Sequence, residues 1–360
     1  MSEEGPILIG ASAVLYRLFD VGYEIDLTHA ATLLAPAGAG RARPRRGDAA
    51  AIVMPRPPVR VELEGGVTAS LYDFGVVSLR LQCSPARDLS WAEFVAQAVR
   101  QQAASELRAT LDRALEDLIQ RIRPAVSRPA VATVTEEYFV FRARGLREVG
   151  GGRVDPAGVS SDALARLLLN EPRTLAPAAL RDLLPHRFSY TIDDFVVLSW
   201  EAALVIEPDA ADDDVEYVLE FANAQLLELR FFDALLDDQV PRVYDRMALV
   251  RRTPSLLLGR RYRPLLADVQ TFVADTTDIV ERVENAFKVT EDVYLARIYL
   301  SAMEIFRAAA WRQGIDRKLG ILRDTYGMLN AESQAARGEA LEVAVVLLIL
   351  SEIVLSLIRA

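Results

Sequence analysis

The sequence predicts an α+β protein in which a duplicated strand–helix–strand–strand–helix unit is followed by a long antiparallel helical hairpin and a C-terminal apolar helix. Strand-type and helix-type patterns follow one another in the same order over residues 10–123 and 134–240. No proline occurs beyond Pro264, which favours long helices in the last third of the chain. The stretch from Leu341 to Ile358 is almost entirely aliphatic.

The length of 360 residues predicts more than one domain. We assign residues 1–245 to the duplicated α/β body, residues 246–336 to a basic connector with the helical hairpin, and residues 337–360 to the apolar helix. Two similar segments support the duplication, because YDFGVV (72–77) and DDFVVL (193–198) each lead a hydrophobic strand that precedes a helix.

The first unit combines strand-type apolar runs with turn and capping signals. Gly65-Gly66 can supply the positive φ angles of a tight turn. Ser90 with Glu93 three residues later predicts a capping box at the start of a helix. The predicted elements are a strand over 12–21, a helix over 26–34, a pair of strands over 59–63 and 68–81, and a helix over 89–122.

The second unit is expected to repeat this order. Its last helix begins at the acidic residues 212–214, which suit a helix N-terminus, and carries one apolar stripe. The predicted elements are a strand over 137–144, short helices over 161–169 and 177–184, strands over 188–191 and 195–206, and the helix to about residue 236.

Apolar residues of the third region recur at alternating spacings of four and three, as in helices that pack side by side. The two groups are Leu265, Val269, Phe272, Thr276, Ile279, Val283 and Ala286, and Leu319, Leu322, Tyr326, Leu329, Ser333 and Ala336. We therefore predict an antiparallel hairpin of helices over about 262–288 and 291–336.

The aliphatic run 341–358 would form a helix of about 27 Å, close to the roughly 30 Å hydrocarbon core of a bilayer. It predicts a transmembrane tail anchor. Glu352 and Ser356 are four residues apart and share a helix face, which predicts polar contacts with partner helices inside the membrane and hence a homo-oligomer. The alternative is a helix buried in a soluble bundle.

The composition argues against several classes of function. A formal net charge of −10 argues against a DNA-coating protein. One cysteine and two distant histidines, His29 and His186, exclude a cysteine-based zinc site and a multi-histidine metal site. The acidic clusters at 193–194, 212–214 and 237–238 fall at predicted turns or caps. We therefore expect no enzyme activity, no metal and no cofactor.

Arginines are concentrated between the body and the hairpin. They are Arg242, Arg246, Arg251, Arg252, Arg260, Arg261 and Arg263. In an acidic chain this cluster suggests contact with phosphates, either of anionic lipids or of RNA. The alternative is ion pairing with the protein's own acidic helices.

Residues 284–330 and the apolar run LEVAVVLLILSEIV resemble the C-terminal half of the YagE-type family, called "required for meiotic nuclear division" in yeast. Residues 195–208 and 221–238 are similar to its central part. The resemblance implies a C-terminally anchored homo-oligomer that supports translation by tethering ribosomes. It carries over no catalytic residue.

We therefore expect a non-enzymatic, membrane-tethered scaffold of a bacterial inner membrane, with its body in the cytoplasm. Its partners would be other copies of itself, the membrane and, by resemblance, the ribosome or RNA. The alternative is a soluble or peripheral oligomer whose last helix packs internally and whose α/β body binds RNA or a small ligand.

Overall fold

The fold is taken from a computed structural model that describes residues 5–35, 52–53, 56–129, 134–171, 173–209, 213–251, 255–285, 289–290 and 292–359. The chain forms two compact units. We call Met1–Glu228 with Arg282–Ala309 the body, and Leu229–Glu281 with Ala310–Ala360 the helical unit.

The described strands are short and lie in the body. They are β1 (Ile7–Ile9), β2 (Ser12–Asp20), β3 (Gly22–Ile25), β4 (Ile52–Val53), β5 (Val59–Glu62), β6 (Val67–Leu71), β7 (Val76–Cys83), β8 (Leu89–Ser90), β9 (Val126–Pro129), β10 (Thr135–Ala143), β11 (Gly145–Arg147), β12 (Arg153–Val154), β13 (Arg187–Phe188), β14 (Phe195–Leu198), β15 (Ala202–Ile206) and β16 (Val289–Thr290).

The three longest of the described helices all lie in the C-terminal half of the chain. In chain order, the described helices are α1 (Leu27–Leu34), α2 (Trp91–Ala103), α3 (Ser105–Ile122), α4 (Ser161–Leu168), α5 (Pro177–Leu183), α6 (Asp214–Arg251), α7 (Ser255–Asn285), α8 (Val293–Ile305) and α9 (Ala308–Arg359). The α+β prediction is therefore confirmed.

An eight-stranded sheet with the order β13-β14-β15-β10-β2-β7-β6-β5 forms the centre of the body. Its two middle strands, β2 and β10, pair antiparallel with Val14 opposite Val140. Each is followed in the chain by three further strands of this sheet, of which the last lies beside it. The two halves differ in direction, because β7 is antiparallel to β2 whereas β15 is parallel to β10.

The sheet is covered on both faces. Ala13, Leu15 and Phe19 of β2 belong to a large apolar core that includes residues of α1 to α5. The alternate residue Tyr16 bonds to Glu216 of α6 on the opposite face. Burial on both faces explains why β2 is apolar along most of its length rather than strictly alternating.

The helical unit consists of the second part of α6, most of α7 and nearly all of α9. Lys318 of α9 holds Asp233 at 2.7 Å and Asp237 at 2.6 Å, both on α6. Arg323 of α9 donates to the hydroxyl of Thr277 on α7 at 3.1 Å. A buried apolar stripe on α9 packs into this unit; it comprises Ile315, Leu319, Leu322 and Leu329.

Four predicted elements are divided in the structure. The strand predicted over 195–206 is the hairpin of β14 and β15, with residues 199–201 between the two strands. The helix predicted over 89–122 breaks at Ala104, which has extended backbone angles. The strand predicted over 68–81 is two strands joined by a turn at 72–75. The helix predicted over 291–336 is α8 followed by α9, with Arg307 between them at φ 51°. An apolar pattern shows the period of the secondary structure, but it does not show the single residue at which an element is interrupted by a turn.

The prediction of a transmembrane tail anchor is wrong. Within the part of the chain that the structure describes, no helix combines the length and the apolar character needed to cross a bilayer. Glu342 and Glu352 interrupt the run, and a charge near the centre of a span costs about 2.5–3.5 kcal/mol. The predicted placement at a bacterial inner membrane is wrong for the same reason. Intramembrane roles for Glu352 and Ser356 and membrane tethering of the translation machinery both require the anchor and lose its support.

Candidate functional site: the exposed apolar tail of the last helix

The last part of α9, residues 341–358, is the largest exposed apolar feature of the described helices; we call it the apolar tail. Its large aliphatic side chains are between 43% and 77% exposed. They are Leu341, Val343, Val345, Val346, Leu347, Leu348, Ile349, Leu350, Ile353, Val354, Leu355 and Ile358. Exposed apolar patches of this size mark interaction sites.

One side of the apolar tail is free of polar residues. Successive residues of a helix turn by about 100°, so Val343, Val346, Leu350 and Ile353 fall within roughly 80° of one another. We call these four residues the aliphatic stripe. Their spacing of three, four and three residues is that of a coiled-coil seam.

The predicted polar contact residues lie elsewhere on the apolar tail. Glu352 is exposed and lies roughly 140° from the centre of the aliphatic stripe. Ser356 belongs to α9, but its side chain is outside the described residues. Leu341, Leu348 and Leu355 recur every seven residues on the side of Glu352, so a second side is also apolar in part.

The predicted arginine cluster is described only at its start. Arg242 pairs with Asp238 at 2.8 Å, and Arg246 with Asp268 at 2.9 Å. Both guanidinium groups are more than 60% exposed. Outside the described residues or side chains lie Arg251, Arg252, Arg260, Arg261 and Arg263.

The predicted acidic clusters serve turns and ion pairs. Asp194 accepts hydrogen bonds from the backbone N–H groups of Tyr190 and Thr191. Asp213 pairs with Arg60 at 3.4 Å, just before α6 begins. Asp237 pairs with Lys318. The contacts of Asp194 and Asp213 agree with the interpretation of their clusters as turn and cap residues. The prediction is wrong for Asp237 and Asp238, which lie inside α6 and form ion pairs.

A buried ionic network between the sheet and α6 was not predicted. Glu216, which is 2% exposed, lies 2.6 Å from Arg142 and 3.5 Å from Arg80. The hydroxyl of Tyr16 donates to Glu216 at 3.0 Å, and burial together with this carboxylate raises the pKa of Tyr16. Glu220, one turn further along, pairs with Arg60 at 2.9 Å.

This network balances charge across the sheet. Its acids lie on α6, and its arginines come from β5, β7 and β10. Buried carboxylates that pair with guanidinium groups are fixed in position, which suits a structural role. The only sequence signal was a pair of glutamates four residues apart in an otherwise apolar helix face.

Asp20 and Glu228 form a second buried acidic pair in the body. They are 3% and 2% exposed. Burial raises the pKa of Asp20 to about 7, although the backbone N–H of Gly22 donates to its carboxylate at 3.1 Å. Burial, with the charge of Asp20, also raises the pKa of Glu228. Asp20 therefore takes up a proton near neutral pH.

Metal binding finds no support among the described side chains, where no group of three or more His, Cys, Asp or Glu residues converges. One cavity of about 470 Å³ in the body has an apolar wall that includes Trp91, Val154 and Val159. Its volume lies within the usual range for small-molecule sites.

Comparisons with known proteins match the body. The family described as the N-terminal domain of the uncharacterized protein MJ0711 matches residues 10–213, which include all eight strands of the large sheet. The uncharacterized protein MJ0711 of Methanocaldococcus jannaschii is 24% identical over 197 residues, 54% of this chain and 59% of that protein. The chain thus matches less than two thirds of this relative's length. No solved structure matches the chain.

Proposed function

This chain belongs to the family of the N-terminal domain of the uncharacterized protein MJ0711, and we propose that it is a non-enzymatic scaffold whose copies join through the apolar tail of α9. In this proposal the tail packs against the tails of other copies. The α/β body is the part that binds RNA or a small ligand. The cavity beside Trp91 supports the ligand-binding role of the body.

The exposure of the apolar tail carries the proposal. Burying one exposed Val, Leu or Ile side chain is worth about 1.5–3 kcal/mol. Covering the twelve half-exposed side chains of the tail therefore favours assembly by on the order of 10 kcal/mol per copy. That gain is comparable to the cost of association, about 4–15 kcal/mol, and more than two helices sharing a core would increase it.

The number of helices in the assembly follows from the distribution of apolar residues. A pair of helices joined along the aliphatic stripe would leave Leu341, Leu348 and Leu355 in water, because they lie on the side of Glu352. A bundle of three or more helices covers more of each helix surface. We therefore propose an assembly larger than a dimer.

Contacts of the buried acids support a non-enzymatic role. Glu216 and Glu220 face arginines, and Asp194 holds a turn. Contact of the arginine cluster with RNA stays a prediction, and the pairing of Arg242 and Arg246 with acids favours its alternative at those two positions. The resemblance to the YagE-type family also stays a prediction, as does a ribosomal partner.

A duplicated origin of the body is part of the proposal. It is supported by the symmetrical strand order about β2 and β10, the neighbouring first strands of the two halves of the sheet. The parallel pairing of β15 with β10 implies that the connection from β10 to β13 changed after the duplication, because β13 to β15 form the same antiparallel meander as β5 to β7. A helical hairpin formed by α7 and α9 is supported by the bond between Arg323 and Thr277.

Measurement of molar mass by light scattering tests the assembly. Wild-type protein should elute as a multiple of 39.8 kDa. A variant with Leu350→Asp and Ile353→Asp places two carboxylates on the aliphatic stripe and should be monomeric, because charged groups are not tolerated in a helix interface. A matched variant with Gln334→Asp and Ala335→Asp adds the same charges to exposed positions before the tail and should keep the wild-type mass.

A wild-type protein that is monomeric over a hundredfold range of concentration would contradict the proposal. So would an unchanged mass in the Leu350→Asp, Ile353→Asp variant.

A further inference from the structure

We propose that a cavity between β13 and α8, at the edge of the large sheet, binds a small molecule that carries a phosphate group, with Arg187 and Arg297 as its ligands. The cavity has a volume of about 280 Å³. Its wall includes His186, Phe188, Leu300 and Ser301 besides the two arginines. All these residues belong to the body, and the site is independent of the apolar tail.

The two arginines lack acidic partners. Among the residues that the structure describes, no carboxylate oxygen lies within 4.0 Å of either guanidinium group. In contrast, Arg60, Arg80 and Arg142 of the same sheet all pair with carboxylates. Two uncompensated positive charges at one cavity are unusual for an acidic protein and favour binding of an anion.

Neutral neighbours hold both guanidinium groups. Arg187 donates to the hydroxyl of Ser161 at 2.8 Å. Arg297 lies over the ring of Phe188, 5.7 Å from its centroid. Each guanidinium carries five N–H donors, so most of the donors of both groups are left for a ligand. Their planar geometry suits the oxygen atoms of a phosphate.

A flat apolar wall adjoins the charges. The rings of His186 and Phe188 are nearly parallel, at an interplanar angle of 6° and a centroid distance of 6.5 Å. Leu300 is 64% exposed beside them. A ligand with an aromatic or other planar group next to its phosphate would cover this wall, and the hydroxyl of Ser301 can donate a further hydrogen bond.

Glu304 limits the strength of binding. Its carboxylate lies 3.9 Å from Nε2 of His186 and is 75% exposed at the rim. It offsets part of the positive charge, although solvent screens it. We therefore expect a dissociation constant on the order of 1 mM for a simple phosphate ester. The small volume favours a single phosphorylated group over a nucleic-acid strand, which needs a continuous basic track.

Calorimetric titration with phenyl phosphate at constant ionic strength tests the site, with inorganic phosphate as the probe that lacks a ring. Phenyl phosphate should bind one site per chain and more tightly than inorganic phosphate. Arg187→Gln and Arg297→Gln should each weaken binding at least tenfold. Glu304→Gln should tighten it a few-fold. Arg121→Gln, at an exposed position of α3, is the matched control and should change affinity less than twofold.

Each variant must keep the wild-type circular dichroism spectrum. Arg187→Lys and Arg297→Lys, which keep the charge, should recover part of the lost affinity. Absence of saturable binding of both probes to the wild-type protein would overturn the proposal. Equal affinity in wild type, Arg187→Gln and Arg297→Gln would overturn it as well, and neither result depends on the state of assembly.

Discussion

At the scale of single residues, buried charged groups have the largest effect on stability and on its dependence on pH. Burial raises the pKa of both Asp20 and Glu228, whereas the buried Glu216 and Glu220 face Arg142 and Arg60. Asp20, with a pKa of about 7, therefore takes up a proton near neutral pH. Buried acidic residues of one body thus lie in different surroundings, and Asp20 is the one with a pKa close to neutral.

Asp20→Asn should flatten the pH dependence of stability. The folded pKa of Asp20 is about 7, above the ordinary value of about 4, so the folded state retains a proton that the unfolded chain loses. This contribution is complete below about pH 4 and is lost as the pH rises to about 7, at up to about 1.4 kcal/mol per pH unit. Asn keeps the acceptor for Gly22 without the charge, and the variant should be the more stable protein at pH 8.

Denaturant midpoints between pH 5 and pH 8 check this prediction. Asp268→Asn, which removes an exposed carboxylate paired with Arg246, is the control and should leave the slope unchanged. A wild-type slope in Asp20→Asn would show that Asp20 is ionised throughout.

Glu216→Gln should destabilise the body. It leaves the partly buried Arg142 and Arg80 without their carboxylate, and breaking a buried ion pair typically costs about 3–5 kcal/mol. Urea denaturation measures the loss. Asp238→Asn, in an exposed pair with Arg242, should cost less than about 1 kcal/mol. If Glu216→Gln also lost less than about 1 kcal/mol of unfolding free energy, water would have to reach the ionic network.

At the scale of elements, caps and turns determine where the regular structure begins and ends. Ser90 and Glu93 form the predicted capping box, with Glu93 accepting from the backbone N–H of Ser90 at 2.9 Å. The turn between β6 and β7 was not predicted. It depends on Gly75, which has φ +95° and lies against the backbone of Gly22.

Gly75→Ala should unfold the turn between β6 and β7. An added Cβ would lie 1.8 Å from the carbonyl oxygen of Gly22, and the neighbouring atom is backbone that cannot rotate away. We expect a loss of at least about 3 kcal/mol. Gly66→Ala is the matched control, since its φ is +74° with no atom within 4 Å, and should cost about 1–2 kcal/mol.

Thermal denaturation compares the two variants. Equal losses would indicate that the turn moves to admit a side chain, so that only the backbone angle matters.

At the scale of the whole molecule, the two units carry different tasks. The family match covers the body from residue 10 to residue 213, and the apolar tail lies outside it. The body contains the cavities and the buried charged groups, and in the proposed function the tail is the assembly surface. A net charge of −10 opposes unspecific association, so the proposed assembly would depend on this apolar surface.

The melting temperature of the wild-type protein should rise with its concentration. Assembly through the tail stabilises the folded state by mass action. The variant with Leu350→Asp and Ile353→Asp should melt at a temperature independent of concentration. Differential scanning calorimetry at two concentrations a hundredfold apart measures this. A constant melting temperature in the wild-type protein would show that assembly does not contribute to stability.

The sequence determined the α+β class, most element positions and the capping box, because periodicity and cap chemistry depend on residues within a few positions of one another. The tertiary structure decided the strand order, the parallel pairing of β10 with β15, and the meeting of Arg60 with Glu220, 160 residues away. The sequence pattern of an acidic residue on an amphipathic helix is the same whether the residue faces water or a buried arginine. Only the tertiary fold places the arginine beside the acidic residue. The tertiary fold also leaves the apolar tail exposed.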